Sequence, residues 1–459
     1  MFLCFKFTKV FVFYLIWLHQ TNISVILIYT PSVSNRLRYI CSLMLGDLLG
    51  IECAFTTFRD EFASFQGPKL VYAPAPLGGD LFIESKNLLF EETVSLLEPG
   101  LNRDDIVPVI FPIEGQRSAL SFDPFAAAFY MVSRYEEYER YKHDKFGRFP
   151  ATASIATQGK FLEVPVVHFW ADLLAEVIVR KYPGIRISRP SYSFIPTIDI
   201  DHAYAFRCRS LSRTGGGAVR SLANFRFHEV YLRFKVLSGA AQDPYDTYDY
   251  MRTVHSRYLL NPYYFVLFAD YGGDDNNIPV SNKTFHKLLL SLDLGKKVGI
   301  HPSLSSNKHL KKLNREHSGL SQVLDRDVTV SRQHFLKISF PRTYRNLINL
   351  GITDDFSMGY ASHPGFRSGM ARPYWFFDLT RNETAPLKIH PVTLMDVTMK
   401  DYLRLTPEQS IETMHRMISM VRSVGGEFIS LCHNETFSEY GRWVGWRNMY
   451  EELLRFAVQ

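Results

Sequence analysis

The chain has 459 residues, 46% hydrophobic and 21% charged, a balance that excludes both a disordered polyelectrolyte and a coiled coil. Its 52 Lys and Arg against 46 Asp and Glu leave a formal charge of +6 with no dense basic tract, so nucleic acid is not indicated as a partner. Five scattered cysteines (Cys4, Cys41, Cys53, Cys208, Cys432) without a CxxC pair support neither a disulfide framework nor a thiolate zinc knuckle, and suit a reducing compartment.

At the N-terminus, Val10–Leu18 is an apolar run behind Lys6 and Lys9, the order of a signal peptide. His19–Asn22 interrupts it before spanning length, and no small-residue cleavage site follows. Residues 1–24 are therefore set apart as an extension, an over-extended start being preferred to a signal or anchor. No stable membrane span is expected. A cytoplasmic location is favoured, with export or anchoring the alternative if the extension is a real signal.

Val25–Tyr29 reads as a buried strand closed by Thr30-Pro31, and Arg36–Leu49 as a helix. With further strands at Lys69–Tyr72 and Asp105–Phe111, residues 25–125 read as a small α/β domain that carries no chemical motif. Asp123-Pro124 is a helix start, an acidic cap followed by a first-turn proline, continued by Ala126–Tyr138. Phe161–Val179 returns to helical spacing before Pro183-Gly184, which makes residues 126–190 a helical connecting region.

From residue 191 short strands at Phe194–Ile198, Tyr263–Phe268, Lys297–Ile300, Phe335–Ile338, Leu350–Thr353 and Glu427–Leu431 alternate with helices at Asn282–Leu292, Arg342–Asn349 and Pro407–Val424. That alternation predicts a parallel sheet or barrel covered by helices. Gly215–Gly217 reads as a flexible loop.

Catalytic groups on such folds sit just past the C-terminal ends of strands. The first strand here ends in Thr197-Ile-Asp199-Ile-Asp201, the third in Gly299-Ile-His301-Pro-Ser303, and the last in Leu431-Cys-His433-Asn434. Asp199 and Asp201, two apart, share a face of a regular strand and repel unless a cation or a shared proton intervenes, which points to a metal. Arg332 and His334 open another strand candidate. Gly365-Phe-Arg367-Ser-Gly369 would let the backbone approach a ligand, and the run containing Tyr374 and Trp375 would form a sugar-stacking wall, so Arg367, Tyr374 and Trp375 are the expected substrate contacts.

In order and spacing, Thr197-x-Asp199-x-Asp201, His301-Pro-Ser303, Ser331-Arg332-x-His334-Phe335, Gly365-Phe366-Arg367-x-Gly369 and Leu431-x-His433-Asn434 resemble the motifs of the polysaccharide deacetylases of carbohydrate esterase family 4, over about residues 191–459. The resemblance is to the bacterial subgroup with a small N-terminal domain. It implies a distorted parallel (β/α) barrel of about seven strands and hydrolysis of N- or O-acetyl groups on a carbohydrate. It also implies Asp199 as general base, Asp201 and His301 as ligands of a divalent ion such as zinc, His433 as general acid, and Arg332 as the group orienting the base. The family's second metal histidine falls at Ser305, a weaker ligand. The site would then recruit His334 or His309, take a harder ion, or have lost its metal; His334 is preferred because it stands beside Arg332. Two alternatives stay open, a metal-independent amidohydrolase of the same superfamily and a catalytically silent sugar-binding module.

Overall fold

A computed structural model describes residues 24–103 and 107–459, which build two sheets. The first has four parallel strands in the order β2-β1-β3-β4: β1 (Ser24–Tyr29), β2 (Ile51–Thr56), β3 (Lys69–Ala73) and β4 (Leu81–Glu84). Strand β1 is apolar from Val25 to Tyr29 because both its faces are covered there. Ile26 and Ile28 join the main core, while Leu27 and Tyr29 pack with Phe62 and Val71 on the other side. A helix follows at Asn35–Cys41, started by the Ser34 hydroxyl, which accepts the Leu37 N–H, and it continues into a wider turn at Ser42–Asp47. Of the strand expected at Asp105–Phe111, the described residues 107–111 form none. Residues 104–106 lie outside the described residues, and Val109 makes only an isolated bridge to Asn102.

The Asp123 carboxylate accepts the N–H groups of Phe125 and Ala126 and starts the helix Pro124–Val132. That helix ends before the expected Tyr138 because Arg134 takes a left-handed backbone, with φ of 56°. A longer helix runs over Val166–Lys181. These two helices do more than connect. Phe129 meets Phe377 at 5.1 Å, the Ala371 N–H donates to His168 Nε2 at 3.1 Å, and one continuous apolar core includes both sheets and the helices between them.

The second sheet has nine strands in the order β10-β11-β9-β8-β7-β6-β5-β13-β12. They are β5 (Ser193–Ile200), β6 (Tyr263–Val266), β7 (Val298–Ile300), β8 (Val330–Ser331), β9 (Asp354–Met358), β10 (Tyr374–Asp378), β11 (Glu383–Pro391), β12 (Leu394–Met395) and β13 (Glu427–His433). All pairings are parallel except β10 with β11, a hairpin at one edge. The sheet is curled. Phe265, Phe356, Met395 and Leu431, from β6, β9, β12 and β13, meet in one interior cluster although β9 and β12 are far apart in the ladder. The turn after β11 bridges the two sides, Val392 N–H donating to Met358 and Thr393 N–H to Ile429. The strand ladder itself is open-ended, so a closed barrel of about seven strands is not what the pairing records.

Three local expectations are corrected. Residues 335–338 form no strand: β8 lies just before them, and His334–Leu336 is a short tight turn with Phe335 and Leu336 both left-handed. The apolar residues Leu350 and Ile352 close the helix Arg342–Asn349, and the strand is β9 instead. Its acidic start hid it: the buried Asp355 accepts from the hydroxyls of Ser331 and Ser357, each at 2.8 Å. Finally, Gly215–Gly217 lies inside a helix, Leu211–Ala223. Among the described residues no helix is long and apolar enough to cross a membrane, and the apolar run Val10–Leu18 lies outside them.

Candidate functional site

Strand register brings the chemistry to one edge. His433 lies opposite Asp199, Asp199 opposite Phe265 on β6, and Ile300 opposite Ser331, so the residues at and just beyond the C-terminal ends of β5, β7, β8 and β13 meet. Asp199, Asp201, His301, His334 and His433 line one cavity of about 200 Å³, walled on its apolar side by Phe335, Leu336, Met395 and Leu431.

Asp201, His301 and His334 offer ligand atoms that all lie within 4.8 Å of one another. His301 Nε2 is 3.3 Å from Asp201 Oδ1, and His334 Nε2 is 3.4 Å from Asp201 Oδ2. Each ring is held from behind. His301 Nδ1 faces the Arg332 carbonyl at 2.5 Å and His334 Nδ1 the Asp275 carboxylate at 3.0 Å. Both partners can only accept, so Nδ1 carries the hydrogen and the Nε2 lone pair of a neutral ring points into the cavity, the usual posture of a metal-ligating imidazole. Asp201 Oδ1 is buried with no hydrogen-bond partner. A carboxylate oxygen left bare inside a protein is costly. A divalent cation would satisfy it, and the donor set of one carboxylate and two imidazoles suits a zinc-like ion.

The gap at Ser305 has a structural answer. The Ser305 hydroxyl lies 3.3 Å from Asp275 Oδ2, so it joins the carboxylate that holds His334. His309 is exposed and stands outside the triad.

Asp199 and Arg332 form a buried pair. Arg332 Nη1 donates to Asp199 Oδ1 at 2.8 Å and to Thr197 Oγ1 at 2.7 Å, and its Nε to the Phe356 carbonyl at 2.9 Å. The guanidinium lies 4.4 Å over the Phe265 ring, which leaves it little freedom to move. Asp199 Oδ2 remains directed at the triad, 3.6 Å from His301 Nε2.

On the opposite wall, His433 Nδ1 donates to Asp396 Oδ1 at 2.9 Å, and Asp396 Oδ2 accepts the His433 backbone N–H at 2.7 Å and the Thr436 hydroxyl. Burial works against the imidazolium, but Asp396 first, then Asp201 and Asp199, raise the His433 pKa to about 10. Burial likewise opposes charge on His334, and Asp201 and Asp275 outweigh it, lifting that ring to about 9. Asp201 is held well below the usual carboxylate range: burial pushes it up, and His334 and His301 more than reverse that. The carboxylates around the cavity thus favour positive charge inside it.

Asp396 and Asp275 were not singled out from the sequence. Asp396 does close a strand, but β12 is two residues long and carries no visible pattern. Asp275 sits in the Gly272-Gly-Asp-Asp275 loop after β6, where its partner His334 is distant in sequence. The expected substrate contacts lie elsewhere. Arg367 is buried and paired with Glu137, Nε to Oε1 at 2.9 Å and Nη2 to Oε2 at 2.5 Å, and borders a neighbouring recess. Tyr374 is buried in β10. Trp375, 45% exposed on that edge strand, faces Lys388 and does not line the cavity.

A family model described as a family of unknown function, DUF7033, matches residues 26–183, the four-stranded sheet and the two helices after it. No curated protein matches. Among solved structures the chain is similar to a putative polysaccharide deacetylase from Mycobacterium smegmatis, at 15% identity and a TM-score of 0.39, covering 59% of this chain and 84% of that one. It is similar too to a probable polysaccharide deacetylase from Pseudomonas aeruginosa PAO1, at 10% identity and a TM-score of 0.37, covering 58% and 84%. A 4-alpha-glucanotransferase from Thermococcus litoralis gives 14% identity and a TM-score of 0.34, covering 58% and 37%.

Proposed function

We propose that this chain is a metal-dependent hydrolase that removes N- or O-acetyl groups from a carbohydrate. The observation that carries the reading is the convergence of Asp201, His301 and His334, rings anchored through Nδ1 and an Asp201 oxygen left bare, between an arginine-held carboxylate and an aspartate-held histidine. Asp201, His301 and His334 would hold the ion, which when bound supplies Lewis acidity toward an acyl carbonyl and acidifies water.

Asp199, held by Arg332, takes the proton of the attacking water. Arg332 fixes the orientation of that carboxylate and favours its ionised form. His433, protonated through its contact with Asp396, returns a proton from Nε2 to the departing amine or alkoxide, so that acetate and the free sugar group leave with protons balanced. The apolar wall of Met395, Leu431 and Phe335 is of a size and polarity to receive the acetyl methyl group.

The test is elemental analysis of the purified protein together with acetate release from chitooligosaccharides, before and after chelation and metal return. About one equivalent of a divalent ion, with activity lost and restored alongside it, is the expected result. Acetate release that persists in metal-free protein would move the chain to the metal-independent amidohydrolases.

A further inference from the structure

The helix Leu211–Ala223 and the next one, Phe227–Leu237, form a hairpin beside the candidate active site. Between this hairpin and the loops that follow β5 and β13 lies a second cavity, of about 940 Å³. Four guanidinium groups line it, Arg209, Arg226, Arg233 and Arg442, against two carboxylates, Glu229 and Glu439.

Arg233 is the informative one. Its side chain is only 7% exposed, its Nη2 makes a 3.3 Å contact with Glu229, and its Nε and Nη1 have no partner. Arg209 Nε is buried and unpartnered beside it. Burial, then the nearby charges of Arg213 and Arg233, hold Arg209 below the usual guanidinium range. Buried N–H donors on like-charged neighbours are unfavourable unless an acceptor of opposite charge completes them.

The triple glycine takes on a purpose here. A Cβ on Gly217 would stand 2.8 Å from Arg233 Nη1 and 3.1 Å from its Cζ, whereas Gly215 and Gly216 face open space. Glycine inside a helix is destabilising, and at position 217 it makes the room in which the guanidinium lies. The ring of Phe206, 4.6 Å from that guanidinium, fixes it from another side. The cavity lies next to the catalytic one. Tyr245 lines the arginine cavity, and its ring is 6.4 Å from His202, which lines the other and pairs with Glu435 at 3.1 Å.

We propose that Arg209 and Arg233 form a subsite for an anionic oxygen group, a phosphate or a carboxylate, carried by the saccharide whose acetyl group occupies the neighbouring cavity. The planar forks of arginine match both anions in bidentate geometry. The substrate-borne part of this inference rests on the proposed function; the anion site itself does not.

The experiment titrates metal-loaded protein with inorganic phosphate by calorimetry, and separately compares KM for acetylated oligosaccharides with and without a phosphate or uronate group. Saturable phosphate binding is expected, weakened at least about tenfold in Arg209→Gln and in Gly217→Ala and kept in Asp201→Asn. Gly217→Ala is the sharper variant, since it removes no polar group and acts on the subsite only by displacing the Arg233 guanidinium. KM for the charged oligosaccharide should rise about tenfold in both variants, with the neutral one unchanged. The site is overturned if the wild-type protein shows no saturable phosphate binding, if both variants bind it as well as the wild type, or if binding vanishes in Asp201→Asn and so belongs to the metal centre. Phosphate binding without a charged-substrate effect rejects the substrate-borne anion. The titration needs no turnover, so failure of the deacetylase reading would show separately, as absence of acetate release.

Discussion

Two buried charge clusters stand side by side in this protein, and they differ in completeness. In the first, Arg134 and Arg367 face Glu136 and Glu137. Arg134 Nε is 2.8 Å from Glu137, its Nη2 is 2.7 Å from Glu136, Arg367 grips Glu137 with two donors, and Ser154 and Ile155 complete Glu136. Charges balance, two against two. In the second, Asp199, Asp201, Asp275 and Asp396 surround three imidazoles and one arginine, and Asp201 Oδ1, 3.3 Å from His301 Nε2, accepts no hydrogen bond. A satisfied cluster ties elements together. An unsatisfied one, held open by neighbours that cannot move, awaits a ligand.

The contrast is open to test, the largest effect first. His334→Ala and Asp201→Asn should each remove the bound ion and the activity together; unchanged metal stoichiometry in His334→Ala, measured by elemental analysis, would remove that ring from the ligand set. Asp199→Asn should abolish acetate release while metal affinity stays within a few-fold, and metal lost with activity would make Asp199 a ligand. Breaking the balanced cluster with Arg367→Met should leave the buried Glu136 and Glu137 sharing the single charge of Arg134, and cost about 3–5 kcal/mol in denaturant unfolding, with metal content unaltered. A fall in KM-dependent binding with no loss of stability would return Arg367 to the substrate.

Asp396→Asn should lower turnover by about 10²–10⁴, most for poor amine leaving groups, because His433 loses the carboxylate that holds it protonated. Equal damage to an activated ester and an amide would reject the proton-donor role. The last effect concerns pH. Burial, and to a lesser degree Arg372, lowers the His168 pKa from 6.5 to about 3, and its Nε2 accepts the Ala371 N–H. The unfolded chain binds a proton there below 6.5 and the folded chain does not until about 3. Its contribution is therefore fully present above pH 6.5 and is lost as the pH falls toward 3, at up to about 1.4 kcal/mol per pH unit. Unfolding of His168→Gln should show a shallower acid slope, and an unchanged slope would exclude this group.

Much of the architecture is legible in the residues because strand ends carry their own marks. The buried strand Val25–Tyr29, the capped helix at Asp123-Pro124, and the polar residues closing β5, β7 and β13 all follow local rules of period and capping. What misled were residues whose neighbours are remote in sequence. Asp354 and Asp355 fall just past the expected strand Leu350–Thr353, yet they open β9, where Ser331, Ser357 and His390 supply their partners. Gly215–Gly217 looks like a flexible tract until Arg233 is seen lying against Gly217. Tyr374 and Trp375 look like a sugar platform until the hairpin of β10 and β11 places them at the far edge of the sheet.

The sequence by itself determined which chemical groups end the strands, because side-chain period and capping act over a few residues. Only the tertiary structure decided which of those groups meet. The parallel ladder sets Asp199 against His433, curling brings β9 and β13 to one interior, and Asp275, Asp396 and the Arg332 carbonyl reach their histidines across 59, 37 and 31 residues of chain. Contacts at that separation are fixed by packing and register, and no local pattern encodes them.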